Sequence, residues 1–165
     1  MSHAGDTSES VLFRSRKHPG DQGRAAVFGG RLVKPLGASM TPVMLGALTY
    51  MLTGRDPIGF LYFGFPVALA LAAAWTVFQL LRRVAEVEIR GEAVRIRSVW
   101  EVASNRSTEW ASVLDVGLDD GELTVTLGHD SRRLRTADFA NPAALNRGLA
   151  QAAERFTGRV QERLS

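Results

Sequence analysis

Three arginines at strand spacing stand out in "RGEAVRIR", Arg90 to Arg97. If "RGEA" is a hairpin turn, Arg95 and Arg97 fall two residues apart and share one sheet face, opposite Val94 and Ile96. With Arg90 they could hold an anion such as a lipid phosphate; the plainer reading is a solvated strand face, since arginines are mostly exposed. Other reactive residues are sparse. His3, His18 and His129 are scattered through polar, loop-like stretches, whereas a nucleophile–histidine–carboxylate set must converge. His129 beside Asp130 in "GHDS" reads as a surface turn. Asp119 and Asp120 in "DDGE" resemble half a calcium loop, but the remaining ligand spacing is missing and a hairpin turn explains them. Gly29 and Gly30 in "AAVFGGRL" complete neither glycine-rich phosphate-binding pattern. The chain has no cysteine, which excludes disulfides, iron–sulfur clusters and Cys-based zinc sites. No catalytic, cofactor-binding or metal-ligating residue is assigned, and a protein without enzymatic activity is expected.

The elements that would carry these residues divide the 165-residue chain into three parts. Residues 1–34 are polar and basic. Residues 35–83 are nearly uncharged: Pro35 to Gly54 is a run of 20 residues without charge, and Pro57 to Leu81 a run of 25. A helix needs about 20 residues to cross a hydrocarbon core of about 30 Å. Two transmembrane helices over about 36–53 and 58–81 are therefore expected, with a tight turn at 54–57. Arg55 and Asp56 are the only charges between Lys34 and Arg82 and mark that turn. The late start of the first run, and the second run directly behind it, argue against a signal peptide. Arg14, Arg16, Lys17, Arg24, Arg31 and Lys34 precede the helices, Arg82 and Arg83 follow them, and the turn has Arg55 alone. The positive-inside rule then puts both termini in the cytoplasm. No Asp, Glu, Lys, Arg or His lies inside either run, so an anchor is expected and not a transporter.

Residues 84–165 read as a small α+β domain. Val87 and Ile89, then Val94, Ile96 and at the margin Ser98, alternate with charges; Trp110, then Val113 or Leu114, Val116 and Leu118 precede "DDGE", and Leu123, Val125 and Leu127 follow it. With "RLRTA" this makes about six short antiparallel strands, the first hairpin running on to Trp100. Asn141 and Pro142 open a helix to about Leu164, with Leu145, Leu149, Ala152, Phe156, Val160 and Leu164 as its apolar stripe and Arg147, Arg155, Arg159 and Arg163 off it. The stripe should cover one face of the sheet.

The two-helix segment, the basic pair after it, the hairpin "VEIRGEAVRI", the block "STEWASVLDV", the strand "ELTVTL" and the final helix opened by "FANPAALNRGL" resemble bacterial pleckstrin-homology-like membrane proteins of the YcxB or YdbS type over about residues 36–160. The resemblance implies a PH-like domain, an antiparallel barrel or sheet capped by a C-terminal helix, on a multi-pass anchor in the bacterial inner membrane, with no known enzymatic activity. Eukaryotic lipid-binding PH domains carry basic residues at positions similar to Arg90, Arg95 and Arg97. Three readings follow: a scaffold that binds a protein partner, an accessory or assembly subunit of a larger respiratory or photosynthetic membrane complex, and an anionic-lipid sensor. Arg82, Arg83, Arg90, Arg95 and Arg97 are candidate lipid contacts; a basic residue near an anionic surface contributes about 1 kcal/mol. Phe13 and Phe28 in the N-terminal arm and Trp100 are candidate partner contacts. The net charge of +3 is too small for a nucleic-acid-binding field.

Overall fold

The computed structural model describes residues 10–128 and 130–164, with side chains through Glu162, so His3 and His129 lie outside the described residues. The chain forms two compact units, Asp21–Arg82 and the combination of Met1–Gly20 with Arg83–Ser165.

The first unit is a helical hairpin of α1 (Arg24–Leu52) and α2 (Ile58–Arg82). The helices run antiparallel in one register: Ser39 meets Ala68, Val43 meets Gly64 and Gly46 meets Phe60. Two glycines permit this approach. A Cβ on Gly64 would sit 2.7 Å from Val43 Cγ1, and one on Gly46 would overlap the Phe60 ring. Ala68 and Ala72 are buried in α2, and the Ser39 hydroxyl reaches the Ala68 carbonyl at 3.0 Å, so small residues form the interhelical seam. Large apolar side chains point outward instead, with Tyr62 and Phe63 about three-quarters exposed at 74% and 73%. In the turn, Gly54 takes φ +70° and Asp56 Oδ1 accepts the Ile58 N–H at 2.9 Å, placing a carboxylate at the positive end of α2. Among the described residues one helix, α2, is long and apolar enough to cross a membrane, with a mean hydropathy of 1.8 over its most apolar 18 residues. α1 carries Arg24, Arg31 and Lys34 in its first three turns, and Gly, Ser, Thr and Pro dilute the rest.

The second unit is a small α+β domain. Six antiparallel strands lie in chain order in one open sheet: β1 (Val11–Arg14), β2 (Val84–Arg90), β3 (Ala93–Ser98), β4 (Ala111–Asp119), β5 (Glu122–Leu127) and β6 (Asp130–Arg135). Between β3 and β4 only Ala93↔Ser112 and Val94↔Ala111 pair. The segments following the two outermost strands meet: Ser15 bridges Phe139, and the Arg16 N–H donates to the Asp138 carbonyl at 2.7 Å. The β4–β5 turn has Asp120 and Gly121 at φ +42° and +78°, the pair of left-handed residues a two-residue hairpin needs. A helix, α4 (Pro142–Leu164), covers one face, capped by Asn141 Oδ1 accepting the Ala144 N–H at 3.0 Å. Leu145, Leu149 and Ala152 join Val87, Ile89, Val94, Ile96, Val113, Leu123, Val125 and Leu134 in the core.

Three expectations are corrected. Within the expected 1–34 arm, Val11–Arg14 is β1, paired with β2, and α1 begins at Arg24, well before residue 36. The first hairpin does not run on to Trp100. Ser98 and Glu101 close a capping box, Ser98 Oγ accepting the Glu101 N–H at 3.2 Å and the Glu101 carboxylate accepting the Ser98 N–H at 2.7 Å, so Val99–Ala103 is a short helix, α3. The α4 stripe fades toward its end, with Phe156 half-buried and Val160 exposed.

A candidate docking groove between the edge strand and the C-terminal helix

The predicted arginines are not gathered at one site. Arg95 and Arg97 do share a face, but Glu86 and Glu88 occupy the same face of β2, and the register sets Glu86 opposite Arg97 and Glu88 opposite Arg95. Both cross-strand pairs close as ion pairs. The Arg95 guanidinium also lies 4.9 Å over the Trp110 ring. Glu86 is buried at 3% exposure and has a second partner, His18 Nε2, at 3.2 Å. The Gly20 N–H donates to His18 Nδ1 at 3.0 Å, so the ring proton sits on Nε2 and points to Glu86. Arg90 is exposed at the end of β2. Arg82 packs on Phe78, 4.4 Å from the ring centroid, and Arg83 is half-buried with its carbonyl accepting the Val99 N–H. Of the aromatic candidates, Phe28 is half-buried on α1 and Trp100 half-buried on α3. Phe13 packs against the core from the inner side of β1.

Phe13 leads to the site that the sequence reading did not assemble. Beside it a groove of about 520 Å³ opens between β1, the end of β2 and α4. Its floor is Val11, Phe13 and Ile89; its wall is Arg147, Gln151 and Arg155. The alternation of β1 places Val11 and Phe13 on one face, and the register sets Val11 beside Ile89. The spacing of the wall residues, four and eight positions apart, stacks them along one line of α4. Gly148 lets the helix come close here, since a Cβ would stand 3.0 Å from Ile89 Cδ1 and 3.8 Å from the Phe13 ring. A glycine inside a helix costs about 1 kcal/mol relative to alanine, which the close packing offsets.

Among the described residues β1 is the last strand on its side of the sheet, and Val11 and Leu12 are exposed. Neither Arg147 nor Arg155 forms an ion pair among the described residues; Arg147 Nε has only a long contact of 3.4 Å to the Ala143 carbonyl. The groove therefore offers an apolar floor, a strand edge and two cations. Guanidinium groups donate hydrogen bonds in a fixed fork and accept none, so the arrangement is suited to binding. The signal that could have found it was present: Arg147 and Arg155 stood off the apolar stripe at helical spacing. What the sequence did not reveal was that the arm supplies the facing strand. No family model matches this chain, and no curated protein or solved structure matches it either.

Proposed function

We propose that this chain is a non-enzymatic membrane protein whose PH-like sheet–helix unit binds a protein partner in the groove between β1 and α4, while α1 and α2 anchor it as a two-span hairpin with both termini cytoplasmic. The observation that carries the binding reading is the groove itself: a strand edge with an apolar floor beside a cationic wall. Added strands gain backbone hydrogen bonds from such an edge and specificity from alternate side chains. The anchor reading is supported by the outward-facing Phe63, Phe65, Val67, Leu71 and Trp75 of α2 and Met44, Leu48 and Met51 of α1, whose exposure to water would be costly and to lipid is not. Arg24, Arg31 and Lys34 lie at the same end of the hairpin as Arg82, with Arg55 alone at the other. The N-terminal clusters that suggested a docking arm are partly used internally, and Arg95 and Arg97 are already compensated. Both facts favour a partner groove over a complex-docking tail or a lipid-binding hairpin.

The absence of native cysteine makes the topology directly testable. Arg55→Cys should react with an impermeant maleimide on intact cells and Gly158→Cys only after lysis; the reverse pattern would refute the orientation. For the groove, a photo-crosslinking residue at Gln151 in native membranes should give one adduct of defined mass. The same probe at exposed Asp119 should not, and equal labelling from both positions would refute the groove.

A further inference from the structure

We infer that the occupant of this groove is an extended acidic segment that continues the sheet beyond β1 and carries two carboxylates four residues apart, with an apolar side chain midway between them. The inference rests on the reading of the groove as a protein-docking site and adds the chemistry of the partner. Arg147 and Arg155 are eight residues apart on α4, which at about 1.5 Å per residue separates them by about 12 Å along the helix. A strand advances about 3.3 Å per residue and returns to the same face every second residue. Same-face side chains therefore recur at about 6.6, 13 and 20 Å, and for a segment laid along α4 only the four-residue spacing matches the rise between Arg147 and Arg155. The residue halfway between falls opposite Gln151 and the floor of Val11, Phe13 and Ile89, where an apolar side chain is covered. Among the described residues no carboxylate lines the groove and neither cation has an ion-pair partner, so we assign the complementary charge to the ligand.

The test uses the full chain in an uncharged detergent and fluorescein-labelled heptapeptides read by anisotropy at low salt. Thr-Glu-Thr-Val-Thr-Glu-Thr should bind roughly three- to fivefold more tightly than its isomer Thr-Glu-Thr-Val-Glu-Thr-Thr, in which one carboxylate turns to the opposite face. Arg147→Ala and Arg155→Ala should each erase that difference. Vesicles of phosphatidylserine and inorganic phosphate should compete no better than chloride at equal ionic strength. Equal affinity for the two isomers, a preference that survives both arginine changes, or full competition by the vesicles or by phosphate would overturn the inference. Two negative results are distinguishable. If Thr-Gln-Thr-Val-Thr-Gln-Thr binds as well as the acidic peptide and all binding is lost in Gln151→Trp, the groove stands as a docking site and the acidic occupant is wrong. If no peptide binds and the crosslinker at position 151 captures nothing in native membranes, both readings fail.

Discussion

Replacing Glu86 tests how the first hairpin is held and why its arginines are not free for ligands. Glu86 is 3% exposed and lies between Arg97 and the His18 Nε2–H, which is 3.2 Å away. Glu86→Gln preserves shape and one acceptor but removes the charge opposite Arg97. A hydrogen bond to a charged group contributes about 1.5–3 kcal/mol. The Arg97 side chain is 21% exposed and regains some hydration, so the lower half of that range, about 2 kcal/mol, is expected. For a unit of this size that lowers Tm by roughly 8–16 °C. Glu86→Ala should cost more, about 3–4 kcal/mol, because His18 also loses its acceptor and a gap opens. Glu86→Gln combined with Arg97→Met should recover part of the loss, since it no longer leaves a cation without its partner; a coupling of about 1–2 kcal/mol is expected. The assay is thermal unfolding of the full chain in neutral detergent, carrying Trp75→Phe so that the fluorescence reports Trp100 and Trp110 alone. Glu86→Gln within about 0.5 kcal/mol of the parent, or no coupling to Arg97, would refute the claim that this carboxylate organises the face. The same variant frees the Arg97 guanidinium, so its binding to phosphatidylserine vesicles should rise relative to the parent.

Three other changes probe separate joints of the fold. Gly64→Val forces a side chain into Val43 and should separate the hairpin helices, lowering the thermal midpoint of the full chain, whereas Gly59→Val, at a position with open space, should not. Ser98→Ala removes half of the α3 capping box and should cost about 1 kcal/mol in the same melt. Gly148→Ala trades a gain of up to about 1 kcal/mol in helix propensity against a 3.0 Å approach to the movable end of Ile89; stability should change little, while the methyl raises the groove floor and weakens peptide binding severalfold by anisotropy.

Local pattern carried much of the fold. Alternation placed Val87, Ile89, Val94, Ile96, Leu123 and Val125 in the core, and Asn141–Pro142 marked the head of α4. The Asp120–Gly121 turn and the Gly54 turn were legible because left-handed backbone is so restrictive. What failed was long-range. Whether "VLFR" is a tail or a strand depends on a partner far along the chain, and four residues have too little periodicity to decide it. The start of α1 was missed because Gly29, Gly30 and Pro35 depress helix propensity, yet the helix runs through all three from Arg24. The charges of Arg95 and Arg97 were visible, but their neutralisation depended on the register that sets Glu88 and Glu86 across from them. The groove needed both failures repaired at once, since one wall is α4 and the floor comes largely from the arm.

The order of elements has a consequence for what counts as the domain. β1 precedes the helical hairpin in sequence and β2 follows it, so residues 84–165 do not contain the whole sheet. β1 and β2 nevertheless pair directly, Val11 with Ile89 and Arg14 with Glu86, across the 69 residues that separate the two strands in sequence. A fragment of residues 84–165 would lack Phe13 and the Ser15–Phe139 bridge, leaving β2 as an unpaired edge beside the inward-facing Val87 and Ile89. It should aggregate, or melt well below the full chain, and bind no peptide in the groove. A fusion that restores residues 10–20 through a flexible linker to Arg83 should recover both stability and binding. If the short fragment were as stable and as competent as the full chain, β1 would be an accessory to the sheet, and the groove would have to be sought elsewhere.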